Sequence, residues 1–132
     1  MHRVPFVSQY DTVFPQGTCG VAATMMLLKF HYRRKPVPSH RDLRTALGIH
    51  LTPADKNHHY DRTPGFGVSA EAVTTYLKAH GVRHRASYLK SRRQLRILLR
   101  RLRHAPVMVA VRYGKGRWGP DGHWIVLIDA TA

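Results

Sequence analysis

Between Cys19 and about Tyr32 the chain reads Cys-Gly-Val-Ala-Ala-Thr-Met-Met-Leu-Leu-Lys-Phe-His-Tyr, apolar nearly all round a helix. A helix with no wide polar face belongs in the middle of a fold, so the rest of the chain has to cover it. The whole sequence is 132 residues, 43% of them hydrophobic. That suffices for one domain, 1–132, burying roughly two thirds of its unfolded surface, and is short for two. A single cysteine excludes an internal disulfide framework and a cysteine-rich zinc site. No apolar run approaches the roughly 20 residues of a membrane span. Met-His-Arg-Val-Pro-Phe-Val-Ser lacks a signal peptide's apolar core. A soluble single domain is expected.

The pattern around the buried helix predicts the other elements. Val4 to Val7 reads as a short extended piece and Ser8 to Thr18 as a loop. Arg33 to Pro38 is a basic turn. Ser39 caps a short helix with Leu43, Ala46 and Leu47 on one face, closed by Gly48. Ile49 to Gly67 is a long loop. Ser69 starts a third helix carrying Val73, Tyr76, Leu77 and His80, stopped by Gly81, and Val82 to Leu89 reads as a strand. Ser91 opens a fourth helix with Leu95, Leu98, Leu99 and Leu102 at i, i+3, i+4, i+7 and six arginines elsewhere on it. Pro106 ends it. Val107 to Val111 and Trp124 to Ile128 are continuous apolar runs, expected of strands covered on both faces and joined by the Gly-rich loop Gly114 to Gly122. Helices first and sheet last make an α+β fold.

Lysine and arginine total 22 against 7 aspartates and glutamates, a formal charge of +15. Such an excess favours a polyanion: nucleic acid, an anionic membrane surface or an acidic protein. The arginines from Arg92 to Arg103 also fit a solvated face over a leucine stripe. Tyr113-Gly-Lys115-Gly-Arg117-Trp118 mixes bases with aromatics that can stack on a nucleobase, or can rim a peptide cleft. No zinc finger, RNP-like strand pair or phosphate-binding Gly-Lys motif is present. Of the 10 histidines, His58 and His59 with Asp55 and Asp61 form the densest group; adjacent histidines point apart, so a surface loop is expected, with no metal and no cofactor.

Cys19 at the start of the buried helix is where chemistry is expected. Helix N-terminal amides favour a thiolate, and a thiolate beside a histidine is a nucleophilic pair. The competing reading is a small buried hydrophobe. Gly17 and Gly20 flank Thr18-Cys19 and allow close backbone approach. His123, in Gly122-His123-Trp124, opens an apolar strand and is placed as a general base on a rigid sheet.

Val4-Pro-Phe-Val-Ser-Gln9, Cys19-Gly20-Val-Ala-Ala, Gly67-Val-Ser69, Pro106-Val107 and Gly122-His123-Trp124-Ile-Val-Leu together resemble the C39-type peptidases. These are papain-like cysteine peptidases, best known as the leader-cleaving domains of bacteriocin exporters. The resemblance covers most of the chain in the family's order. It implies a papain-like fold in which a central helix carries Cys19 and packs on a C-terminal antiparallel sheet. It further implies Cys19 as nucleophile, His123 as base, and Gln9 as the amide that forms the oxyanion hole with the Cys19 N–H. Gln16 is the rival for that last role. The physics agrees, since a developing oxyanion needs donors fixed beforehand.

One departure from the family stands out. Its third residue, an Asp or Asn orienting the histidine, lies on the strand after the histidine strand, and none is expected after Trp124 to Ile128. Asp129 is six residues beyond His123, about 20 Å along an extended strand, and is out of reach. Asp121 would reach the imidazole only through a bent loop. The orienting group then comes from elsewhere, or Cys19 and His123 act as a dyad, or the chain is a binding-only relative.

Small, very basic domains of papain-like fold resemble the C-terminal toxin modules of bacterial contact-dependent or secreted effectors. That resemblance implies delivery to a target-cell cytoplasm, a peptide or protein substrate, and neutralisation by an acidic immunity protein. The alternative function is a nucleic-acid-targeting toxin on the same fold, with RNA as partner.

Overall fold

The computed structural model describes residues 3–10, 18–49, 67–82, 89–116 and 119–128, with the backbone alone over 111–116 and 119–122. Among these residues four helices precede one hairpin: α1 (Cys19–His31), α2 (His40–Ala46), α3 (Ala70–Ala79), α4 (Arg92–Leu102), β1 (Val107–Gly116) and β2 (Gly119–Leu127). The α+β expectation holds, with all described helices ahead of the described strands.

α1 is central, as its composition requires. Gly20, Val21, Ala22, Ala23, Thr24, Leu27 and Leu28 are buried on it, and it packs against β2, α2 and β1. The core continues through Leu43, Leu47, Ile49, Val68, Val73, Leu77 and Val82. Each such side chain taken fully from water stabilises the fold by about 1.5–3 kcal/mol, so these contacts, more than helix propensity, hold the elements.

Local chemistry sets where the small helices begin and end. Ser39, Ser69 and Ser91 each accept a backbone N–H three residues on, from Asp42, Ala72 and Gln94, each cap contributing about 1 kcal/mol. α2 and α3 end alike. Gly48 (φ +83°) and Gly81 (φ +71°) take the left-handed conformation that a side chain resists. The next residues, Ile49 and Val82, donate back to the carbonyls of Arg44 and Leu77 and bury their own side chains in the core. Val82 therefore closes α3 and does not open a strand. The rest of the expected strand to Leu89 lies outside the described residues, except for exposed Leu89 itself.

β1 and β2 pair antiparallel from Val107↔Leu127 through Val111↔His123 to Tyr113↔Asp121, with an irregularity before Gly116↔Gly119. Pairing thus runs further into the glycine-rich segment than the apolar runs suggest. Met108 and Val126, opposite one another, pack on the core cluster. Alternation puts Ala110 and Trp124 on that same face and Val107, Val109, Ile125 and Leu127 on the other. The second face is half-buried, not fully covered as expected.

α4 departs most from its pattern. Leu102 is buried and Leu98 half-buried, but Leu95 and Leu99 are 45% and 41% exposed. α4 packs mainly on β1, which covers only part of its leucine stripe.

Candidate active site at the start of the central helix

The entry into α1 is built from segments far apart in sequence. Thr18, fully buried, precedes Cys19, and its carbonyl accepts the N–H of Ala22 to begin the helical ladder. Its hydroxyl does not cap the helix; it reaches back to the carbonyl of Gln9 at 3.5 Å. The Gln9 backbone thus lies beside the first turn of α1, whose amides Thr18 does not cap with its side chain. Cys19 is a free, half-buried thiol.

Gly20 is the point of closest approach. A Cβ added there would lie 2.7 Å from Val68 Cβ and 2.8 Å from Trp124 Cδ1. No side chain fits that gap. Trp124 in turn donates its indole N–H to the Val68 carbonyl at 2.9 Å. Four of the five segments that carry the resemblance meet at this corner: the one ending in Gln9, Cys19-Gly20, the one holding Val68, and His123-Trp124. The fifth begins three residues along the ladder, where Val107 pairs with Leu127.

His123 lies within β2 opposite Val111, half-buried, and not at a strand mouth. It is the chain neighbour of Trp124, whose side chain packs on Gly20. Because Trp124 faces α1, alternation assigns His123 to the other face of the strand. The packing at Gly20 joins the chain neighbours of the two expected partners, Gly20 and Trp124, while His123 itself starts on the face of β2 away from α1. Asp121 is held in β2 by pairing with Tyr113, not in a bent loop. Gln16 and Asp129 lie outside the described residues, as do Asp55, His58, His59 and Asp61. No group of three or more His, Cys, Asp or Glu among the described residues is arranged to hold a metal. No helix among them is long and apolar enough to cross a membrane.

The sequence assigns roles to Cys19, Gln9 and His123, but names Val68 only within Gly67-Val-Ser69 and Thr18 only as the neighbour of Cys19, with no role for either. The signal for Val68 was weak. A lone valine before a helix cap says nothing of a tryptophan 56 residues away. Thr18 was legible in hindsight, because a threonine directly before a buried helix is a cap residue whose hydroxyl needs a partner.

No family model, curated protein or solved structure matches the chain.

Proposed function

We propose that this chain is a papain-like cysteine hydrolase that cleaves a peptide or amide bond, with Cys19 as nucleophile. The observation that carries the reading is the convergence of Gln9, Thr18, Cys19, Gly20, Val68 and Trp124 at the start of α1. A substrate carbonyl brought to the half-buried Cys19 would meet the thiol on its carbon. Its oxygen would meet the Cys19 amide and the Gln9 side chain, which donate to it as charge develops. The sulfur–carbon bond forms, the amine departs with a proton supplied by His123, and water then releases the acyl group from the thioester. For this His123 has to turn over the outer edge of β2, an edge no other described strand pairs.

The test is turnover of a library of internally quenched peptides. Wild-type protein should cleave a subset, Cys19→Ala should be folded and inactive, and Gln9→Ala should lose on the order of a hundredfold in kcat. Unchanged cleavage by Cys19→Ala would end the proposal.

The setting proposed with it is a bacterial toxin module held in check by an acidic immunity protein. The +15 charge supports that reading, and association with such a partner should weaken steeply as salt rises. A nucleic-acid-targeting toxin is the second reading, favoured by the exposed arginines of α4. RNA cleavage that survives Cys19→Ala would favour it over the hydrolase.

A further inference from the structure

α4 is exposed over most of its surface, Arg93, Ile97, Arg100 and Arg101 included, and one of its faces combines charge with apolar side chains. Arg92, Leu95, Arg96, Leu99 and Arg103 stand at i, i+3, i+4, i+7 and i+11, so they share one face, and all five are exposed. Leu102 and half-buried Leu98, on the adjoining face, seat the helix on the fold. The outer face therefore pairs two bare leucines with three cations. Leu89 and Lys90, also exposed, lead into it.

A phosphodiester backbone satisfies arginines but offers leucines nothing, and α4 carries no aromatic to stack on a base. An anionic bilayer satisfies both. Leucines enter the acyl boundary while arginine stems lie along it and their guanidiniums reach the phosphates. We infer that the Arg92–Leu95–Arg96–Leu99–Arg103 face of α4 docks the protein on an anionic lipid surface, with the helix axis in the membrane plane. The juxtaposition of charge and bare apolar surface carries the inference, which does not depend on Cys19.

Sedimentation of the full chain with vesicles of phosphatidylcholine and phosphatidylglycerol (3:1), against pure phosphatidylcholine, tests it. Binding to the anionic vesicles alone is expected. Arg92→Gln/Arg96→Gln/Arg103→Gln should weaken it on the order of a hundredfold, at roughly fivefold per cation. Leu95→Ser/Leu99→Ser should weaken it about fivefold to tenfold and leave binding to poly(U) RNA unchanged. Arg34→Gln/Arg41→Gln/Lys78→Gln removes the same charge from exposed positions elsewhere and should cost far less. As a second readout, Leu99→Cys in a Cys19→Ser background, labelled with an environment-sensitive dye, should shift to the blue on anionic vesicles.

The inference is overturned if anionic vesicles do not bind, if the leucine pair has no effect, if the control triple weakens binding as much, or if the dye does not shift. Capture of poly(U) or polyglutamate without vesicle binding would give the face to a nucleic acid or an acidic protein instead.

Discussion

Trp124 donates its indole N–H to the backbone carbonyl of Val68 at 2.9 Å, and the two side chains close from either side on the bare Cα of Gly20. This contact fixes the distance between the sheet and the N-terminus of α1. The local geometry at Cys19 therefore depends on a residue with no side chain.

Gly20→Ala tests that dependence by sign. In a solvated helix the change stabilises by roughly 1 kcal/mol. At Gly20 the new methyl meets Val68 and Trp124 at under 3 Å, so overpacking should dominate and destabilise by about 1–3 kcal/mol. Urea unfolding measures it, and a more stable variant would contradict the contact.

Trp124→Phe keeps an aromatic ring in the gap but removes the donor to Val68. Loss of the bond leaves a part-buried carbonyl unpaired and should cost about 1–3 kcal/mol. The same variant loosens the seat of β2 beside Cys19, so faster alkylation of the thiol should accompany the lower midpoint. A midpoint equal to wild type would show that the bond contributes nothing net.

Two buried residues of α1 should differ sharply. Leu28 is fully buried, and Leu28→Ala should cost about 2–5 kcal/mol through lost transfer energy and the cavity left behind. Thr24 is equally buried, but its hydroxyl bonds the Gly20 carbonyl, an acceptor the helical ladder also supplies with an N–H. Thr24→Val should therefore change stability by less than about 1 kcal/mol. Equal losses in the two variants would show that the hydroxyl has a role beyond packing.

How much of this was legible in the sequence depends on whether the cause was local. The starts of α2, α3 and α4 follow from Ser39, Ser69 and Ser91, and the stops from Gly48 and Gly81, because caps and left-handed glycines act over one turn. The central place of α1 followed from its missing polar face. The partial covering of α4 was not legible, because Leu95 and Leu98 carry the same periodic signal and only the position of β1 decides which is buried. At the candidate site the segments around Gln9, Cys19 and His123 could be named, and the structure joins them through their neighbours: Thr18 reaches the Gln9 carbonyl and Trp124 packs on Gly20. The side on which His123 lies could not be read, since it depends on the register of β2 and on Trp124 taking the α1 face.

His40 predicts a pH dependence. Burial first, and then the charge of Arg44, hold its imidazole below the ordinary value of 6.5, and its buried Nε2 has no hydrogen-bond partner among the described residues. The folded chain keeps this group neutral where the unfolded chain protonates it. Its contribution is therefore complete above pH 6.5 and is lost as pH falls below that value. Between pH 7.5 and 5.5 the wild type should lose more stability than His40→Asn. Parallel curves for the two proteins would contradict the assignment.

The proposal that Cys19 and His123 form a nucleophilic pair is tested most directly by the rate of iodoacetamide alkylation of Cys19 against pH, with His123→Ala as control. The account predicts fast alkylation that persists well below about pH 8 in the wild type and disappears in the control. A rate that rises only near pH 8.5 in both proteins, as for an ordinary thiol, or a thiol protected in both, would contradict it.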